Sequence, residues 1–295
     1  MGLQSPQEGL ARGPEALAVA PDGRLVVLDG VNGRLLLLSA AGTPTATVPL
    51  DLTSPRFVAA TNQTVSVLDA DSDRQVQVFD WDGASVATYD LPAVDEPATA
   101  LLAGDDGLAV EYAHDHVERL EAAGDLPLTV EATARPADRQ APGRSRLVNL
   151  RPIPGRALGP EGQSHAQARL RNGKAEIRIE RGAGSGGGTI TELQIDTAGA
   201  IEQLVALGAG EGDSLILGAR AATPPGSAQQ LWVTLLPLGD PPPAEPPPAM
   251  TIDDQDSIYL GDPLVIGPGG TVYQPVASPE GYSIRLHRFA EGGSR

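Results

Sequence analysis

A pattern that begins at Pro14 begins again at Pro55, 41 residues later, and this recurrence limits the fold more than any other feature of the chain. In the first copy, residues 14–42, Leu17 and Val19 alternate with small residues before a Pro21-Asp22-Gly23 turn. Leu25-Val26-Val27-Leu28 follows, too short for a buried helix and suited to a strand covered on both faces. Residues 29–33 form a second turn, Arg34 to Leu38 a third apolar run, and Gly42 ends the unit. Three strands in tandem hairpins cannot bury two faces alone, so such a meander must stack on copies of itself.

The copies are present. Residues 55–83 repeat the pattern with a turn at 61–64, Val65 to Leu68, Asp69, Arg74, Val76, Val78 and Asp82-Gly83. Residues 97–124 repeat it with Asp105-Asp106-Gly107, Leu108 to Val110, Glu111, His114, Val117, Leu120 and Gly124. Residues 263–289 form a last copy with turns at 267–270 and 278–281.

This pattern resembles the NHL repeat, a β-propeller blade motif of proline, alternating strand, Asp-Gly, apolar strand ending in Asp, Asn-x-Arg and glycine. Pro14, Asp22-Gly23, Asp29, Asn32, Arg34 and Gly42 carry it in the first copy. The second keeps Pro55, Asp69, Arg74 and Gly83, with Asn62-Gln63 for Asp-Gly and Ser72 for Asn. The third has Glu111, His114 and His116 at the Asp, Asn and Arg places, and the last has lost the Asp and the Arg. The resemblance covers residues 14–124 and 263–289 and implies an all-β, single β-propeller domain of antiparallel four-stranded blades. Six blades are expected, with five or seven as alternatives, at about 14–53, 54–95, 96–137, 138–199, 200–260 and 261–295. The ring is expected to be closed by a strand from the N-terminal segment, residues 1–13.

Between the clear copies the reading is local. A single strand is expected at residues 147–152, opening the fourth blade ahead of a long loop. Residues 165–181 alternate around Asn172-Gly173, a strong hairpin signal. The glycine tract 182–188 lacks a Gly-Lys-Ser/Thr ending, so it is no phosphate loop. Residues 201–207, 214–219 and 229–236 supply the next blade, with its outer strand expected at 252–260. Residues 240–249, DPPPAEPPPA, read as a stiff polyproline connection or a ligand for a partner domain.

Composition enters through charge and core. Aromatic residues are 3%, so the core must come from Val, Leu, Ile and Ala. The net charge of −17 argues against a nucleic-acid binder, which needs a basic face. That charge is uneven: residues 135–181 hold ten arginines and Lys174 against four acids, a net +7, leaving −24 elsewhere. Arg144, Arg146, Arg151, Arg156, Arg169, Arg171, Arg178 and Arg181 therefore make a candidate basic interaction face for an acidic protein partner or another copy of the chain. The alternatives are a polyanionic ligand or arginines that merely cover exposed strands.

No apolar run reaches 18 residues, so no membrane span is expected. The N-terminus lacks a signal pattern, which leaves a cytoplasmic protein or, if a signal has been removed, an extracytoplasmic or cell-surface one. The absence of cysteine excludes disulfides, thiolate metal sites and cysteine nucleophiles. Abundant Arg, Ala, Gly and Pro suggest a GC-rich bacterial source.

For chemistry, Asp29, Asp69 and Glu111 hold one repeated place at the end of a strand. Acids there can accept N–H groups from the following turn and pair with Arg34 and Arg74, a structural role. His114, His116, His165 and His287 are the histidines available for zinc, and Asp22, Asp105, Asp106 and Asn62 lie in turns comparable to those of calcium-binding lactone hydrolases. Neither set is distinguishable from turn chemistry, so no cofactor and no catalytic or metal residue is assigned, with calcium or zinc as the metals weighed. No Gly-x-Ser-x-Gly elbow occurs. The sequence thus favours a non-enzymatic protein–protein interaction scaffold or structural subunit, and a metal-dependent hydrolase or lyase with its site at the central channel is the alternative.

Overall fold

The computed structural model describes residues 14–69, 74–91, 98–104, 107–112, 116–120, 130–133, 144–148, 151–155, 157–158, 164–181, 189–195, 200–210, 214–222, 230–237, 249–254, 263–278 and 281–289. Several expectations lie outside these residues: the closing strand at 1–13, the glycine tract 182–188, the proline segment up to residue 248, and Asp105, Asp106, His114 and Arg156. The chain divides into two units. The first takes residues 1–138, 257–263 and 275–284, and the second takes 139–256, 264–274 and 285–295.

In the first unit, antiparallel sheets form from consecutive strands. Strands β1 (Ala16–Val19), β2 (Leu25–Asp29), β3 (Arg34–Leu38) and β4 (Pro44–Pro49) make one. The next has β5 (Pro55–Ala60), β6 (Thr64–Asp69), β7 (Gln75–Asp80) and β8 (Ser85–Asp90). A third has β9 (Ala98–Gly104), β10 (Gly107–Tyr112), β11 (His116–Leu120) and β12 (Val130–Thr133). The outer strands expected near Thr45 and Ser85 are therefore present.

Both faces of the inner strands are covered, which is why they read as apolar runs. On β6, Val65 and Val67 join Val26, Leu28, Leu35 and Leu37 in one core. Leu68, one residue on, points the other way and joins Val76, Val78, Val110, Tyr112 and Leu120 in the next. The outer strands β4 and β8 share an irregularity. Leu37 pairs with Ala46 and Leu38 with Pro44, while Val78 pairs with Ala87 and Phe79 with Ser85, so Thr45 and Val86 are bulged. A bulge bends the exposed edge of a sheet and discourages further pairing.

The second unit holds β13 (Arg144–Val148) and β14 (Arg151–Gly155), then β15 (Ala157–Leu158), β16 (Ser164–Arg171), β17 (Lys174–Arg181) and β18 (Thr189–Ile195), then β19 (Ile201–Ala209), β20 (Ser214–Ala221), β21 (Gln230–Pro237) and β22 (Ala249–Asp253). The four-stranded sheets are β15–β18 and β19–β22, and β13–β14 is a separate two-stranded sheet. The single strand expected at 147–152 is thus two paired strands, Arg144–Val148 and Arg151–Gly155. Pro152 and Pro154 have the same parity along β14, so their missing N–H groups fall along one edge. That edge is poor in donors for a further strand. The expected outer strand at 252–260 instead runs from Ala249 to Asp253, because Ala249 pairs with Thr234 and Asp253 with Gln230.

Asn172 and Gly173 both adopt positive φ, 51° and 75°, the conformation of a tight two-residue hairpin. Alternate residues Ala175, Ile177 and Ile179 of β17 pack with Leu204, Leu207, Leu215 and Leu217. Gly208 and Gly218 let β23 (Val265–Ile266) and the residue before it approach: a Cβ on Gly208 would lie 2.9 Å from the Cβ of Ile266, and one on Gly218 3.0 Å from Leu264 Cδ1. With β24 (Val272–Ser278) and β25 (Gly281–His287), β23 makes a three-stranded sheet. The described strands therefore group into seven sheets, five of them four-stranded. The hairpin β13–β14 is the sheet beyond the six expected blades. No helix among the described residues is long and apolar enough to cross a membrane.

Candidate functional site

The ionisable groups with defined surroundings cluster at the ends of the inner strands. Asp29 ends β2 and is fully buried, at 0% exposure. A single 3-10 turn, Gly30–Asn32, follows it, and Gly33 closes the turn at φ 58°. Asn32 Nδ2 donates to both carboxylate oxygens at 2.8 Å, and Arg34 Nε donates to Oδ2 at 2.9 Å. The carboxylate is thereby a fastener for the turn that links β2 to β3. Asp69, also buried, ends β6 and accepts the Ser54 N–H at 2.7 Å.

The pairing register refines the repeat. Arg34 lies opposite Asp29, whereas Gln75 lies opposite Asp69. Arg74 stands where the first sheet has Gly33: it has positive φ, 48°, and its carbonyl accepts the Leu91 N–H at 2.7 Å, as the Gly33 carbonyl accepts that of Leu50 at 2.8 Å. In the third sheet the last β10–β11 pair is Tyr112 with His116, so Tyr112 takes the step held by Asp29 and Asp69, with Glu111 one residue before it. Glu111 is buried, and a register shift separates it from Tyr112.

Tyr112 and Glu118 are both buried. Tyr112 lies beside Glu118 of its own sheet and Arg74 of the second, close enough for both charges to act on its hydroxyl. Burial, reinforced by the Glu118 charge, pushes the phenol far above the usual tyrosine range, with Arg74 opposing. The sequence does not reveal this cluster, since Glu118 lies in a short polar-looking strand, HVERL.

Another fastener joins the first two sheets through their turns. Arg24 Nε donates to Asp22 Oδ2 at 2.8 Å, and its guanidinium lies 4.1 Å from the centre of the Trp81 ring. Asp22 N–H donates to Asn62 Oδ1 at 3.0 Å, and Trp81 Nε1–H to the Thr61 carbonyl at 3.0 Å. The Arg24 hydrogen bond holds the Asp22 carboxyl below its ordinary pKa. The calcium candidates Asp22 and Asn62 thus meet in a contact that ties turn to turn.

In the second unit the polarity is inverted. Arg220, near the end of β20, donates to Asp254 Oδ2 from Nε at 3.0 Å and Nη2 at 2.6 Å, and to Gln203 Oε1 from Nη1 at 2.8 Å. The Asp254 side chain is completely buried. A cation on the second strand, with its acid brought from beyond the fourth, replaces the acid that ends β2 and β6. Nothing in the sequence flags a pair separated by 34 residues. Nearby, Gln274 Nε2 donates to the Asp253 carbonyl at 2.8 Å. That fixes its Oε1 as the acceptor facing His287 Nε2 at 3.1 Å, so this nitrogen carries the proton. Burial, with Arg285 adding to it, depresses the His287 pKa.

The arginines named from sequence fall on two sheets. Arg144 and Arg146 are on β13 and Arg151 on β14; Arg169 and Arg171 are on β16, Arg178 and Arg181 on β17. Opposite Arg169 is Glu176, opposite Arg178 is Glu192, and opposite Arg171 is Lys174. Arg171 is 64% exposed and approaches Glu176 to 3.8 Å. His116 lies on β11 and His165 on β16. Among the described residues, no group of three or more His, Asp or Glu is placed to hold a metal ion.

No protein-family model matches the chain. No curated protein matches it either. Solved structures do. A streptogramin B lyase aligns over 93% of both chains at 14% identity with a TM-score of 0.55. The Kluyveromyces lactis protein Hsv2 aligns over 94% of this chain and 98% of its own at 8% identity, TM-score 0.53. A catalytically inactive virginiamycin B lyase from Staphylococcus aureus, in a structure with quinupristin, aligns over 92% of both chains at 14% identity, TM-score 0.52. The fold is a β-propeller. At these identities the likeness extends to the fold alone, and the seven sheets of consecutive strands are its blade-like elements.

Proposed function

We propose that this propeller, built from NHL-like repeats, is a non-enzymatic platform for protein–protein interaction, as a scaffold or as a structural subunit of an assembly. The observation that carries the reading is charge segregation: net +7 within residues 135–181 against −24 over the rest. Such a division gives a rigid sheet scaffold one region suited to acidic partners, and it orients encounters before contact. The strand-end acids support the reading from the other side, since Asp29, Asp69 and Asp254 spend their oxygens on turns and neighbouring strands.

The second reading, a metal-dependent hydrolase or lyase, is favoured by the chain-length likeness to streptogramin B lyase. Two measurements separate them. Native mass spectrometry, before and after chelation and at low and moderate salt, reads bound metal and assembly state. Incubation with quinupristin, followed by mass spectrometry of the compound, reads turnover. The platform reading expects unchanged quinupristin and metal-independent assembly. A divalent ion lost on chelation, together with consumption of quinupristin, would replace it with the lyase reading.

A further inference from the structure

Three arginines commit their charge inside the fold. Arg24, Arg34 and Arg220 each donate from Nε to a carboxylate oxygen, of Asp22, Asp29 and Asp254 in turn. Arg288 differs. Its Nε donates to the Thr271 hydroxyl at 3.3 Å, a neutral acceptor. Among the described residues no acid is paired with it, and the stretch 281–289, GYSIRLHRF, contains none. An arginine bonded through Nε alone keeps both Nη groups for a further partner, in the end-on fork that matches a carboxylate.

Arg288 is exposed, yet it is anchored on both sides. His287 before it bonds Gln274, and Phe289 after it packs on the core that holds Val205, Ile216 and Ile266. Thr271 is itself buried, as is Tyr273 two residues along. The Arg288 charge acts on the Tyr273 hydroxyl, but burial outweighs it and keeps the phenol protonated. A guanidinium held in this way has less conformational entropy to lose when a partner arrives than a loose surface side chain.

The same anchors fix which side Arg288 takes. Thr271 is extended, at φ −70° and ψ 129°, so Thr271 and Gln274, three residues apart, face opposite sides of the chain. His287 reaches Gln274 and Arg288 reaches Thr271, so these two also point to opposite sides. Leu286 alternates with His287 along β25 and therefore shares the Arg288 side. Leu286 is 51% exposed, and Val86 is the other large apolar side chain so exposed among the described residues.

We propose that Arg288 and Leu286 form a docking point for an extended segment of a protein partner that carries a carboxylate and an apolar side chain two residues apart. The inference rests on the platform reading above and names a contact for it outside the arginine-rich residues 135–181. Same-face residues two apart on an extended chain are separated by roughly 7 Å in both partners, so the acid can meet Arg288 while the apolar side chain covers Leu286. The guanidinium fork adds geometric selection to charge. One fixed cation suits a single carboxylate better than a nucleic acid, which calls for a basic stripe. A second copy of the chain is disfavoured because it would bring its own net −17 to the encounter.

The test uses the isotope-labelled full chain and the peptide Ser-Glu-Thr-Leu-Ser, capped at both ends, read by NMR from backbone amide and arginine side-chain N–H signals. Control peptides replace the glutamate with glutamine or the leucine with serine. Expected are saturable shifts at residues 281–289, binding that weakens with salt, and about a tenfold loss in Arg288→Gln. Leu286→Ser should weaken the leucine peptide and leave the serine peptide unchanged. Arg171→Gln, which removes an exposed arginine elsewhere, should change binding less than about twofold. Equal losses in Arg288→Gln and Arg171→Gln would overturn the assignment, as would equal binding of the glutamine peptide. Displacement by free acetate at the peptide's own concentration would make this a small-anion site and overturn the partner. Preference for an oligothymidylate, or self-association abolished by Arg288→Gln, would do the same. Should Arg288→Gln fail to fold, Arg288→Lys, which keeps the charge and loses the fork, and the wild-type preference among peptides still decide. Absence of peptide binding alongside metal-independent assembly would remove this docking point and leave the platform reading in place. Metal loss with quinupristin turnover would remove the platform reading itself.

Discussion

Replacing Asp29 with alanine removes the acceptor for two bonds from Asn32 and one from Arg34. Hydrogen bonds to a charged group contribute roughly 1.5–3 kcal/mol each when no water can substitute. Here water can substitute in part, because the Arg34 side chain is about one-third exposed and Asn32 is exposed. The expected net loss for Asp29→Ala is about 2–3 kcal/mol. Arg34→Ala leaves the buried carboxylate with Asn32 alone and should cost about 1–2 kcal/mol. A double-mutant cycle in urea denaturation should give a coupling of about 1–2 kcal/mol between Asp29 and Arg34. The same cycle on Arg171 and Glu176, a more exposed and more distant pair, should give below ~0.5 kcal/mol. A coupling at Asp29 no larger than that of the surface pair would refute the fastener argument. So would a stabilising Asp29→Ala, the signature of a carboxylate held under strain for binding or catalysis.

Arg74 holds positive φ and also meets Tyr112, so Arg74→Ala and Arg74→Gly separate strain from contact; the glycine variant should be more stable by about 1 kcal/mol in thermal unfolding. Gly208→Ala places a methyl group against Ile266 and should destabilise by about 1–3 kcal/mol, with partial recovery when Ile266→Ala is added. His287 has a folded-state pKa below its unfolded value of 6.5. Its neutral form is favoured by folding, so its contribution is complete above that value and is lost as pH falls through 6.5 toward the folded pKa. Urea midpoints between pH 7.5 and 5 should therefore fall less in His287→Gln than in the wild type.

The legible parts of this chain are those written as local pattern. The runs at Leu25 to Leu28 and Val65 to Leu68, the turns between them and the Asn172-Gly173 hairpin depend on neighbours within a few residues, and the structure has them where the pattern puts them. The role of Asp29 was readable for the same reason, since Asn32 and Arg34 follow within five residues. The illegible parts depend on register and distance. The turn after Asp69 is one residue longer than that after Asp29, which moves Arg74 onto the Gly33 place and brings Gln75 opposite the acid. An irregular step beside Glu111 gives Tyr112 the corresponding step in the third sheet. Arg220 and Asp254 meet only because β20, β21 and β22 lie side by side.

Among the described residues, every sheet is made of strands consecutive in the chain. That order has a kinetic consequence. Sheets assembled from distant segments must close long loops before any pairing is rewarded, and they fold slowly. Here the first sheet has all its strands once synthesis has passed Pro49, and the second once it has passed Asp90. Within each unit, a later sheet arrives with a neighbour already made to pack against, so the growing chain can bank its structure in instalments of a few dozen residues. A high-β protein with this order should keep its unpaired edges exposed only briefly during synthesis, and junctions between sheets, rather than turns within them, are where inserted sequence should be tolerated best.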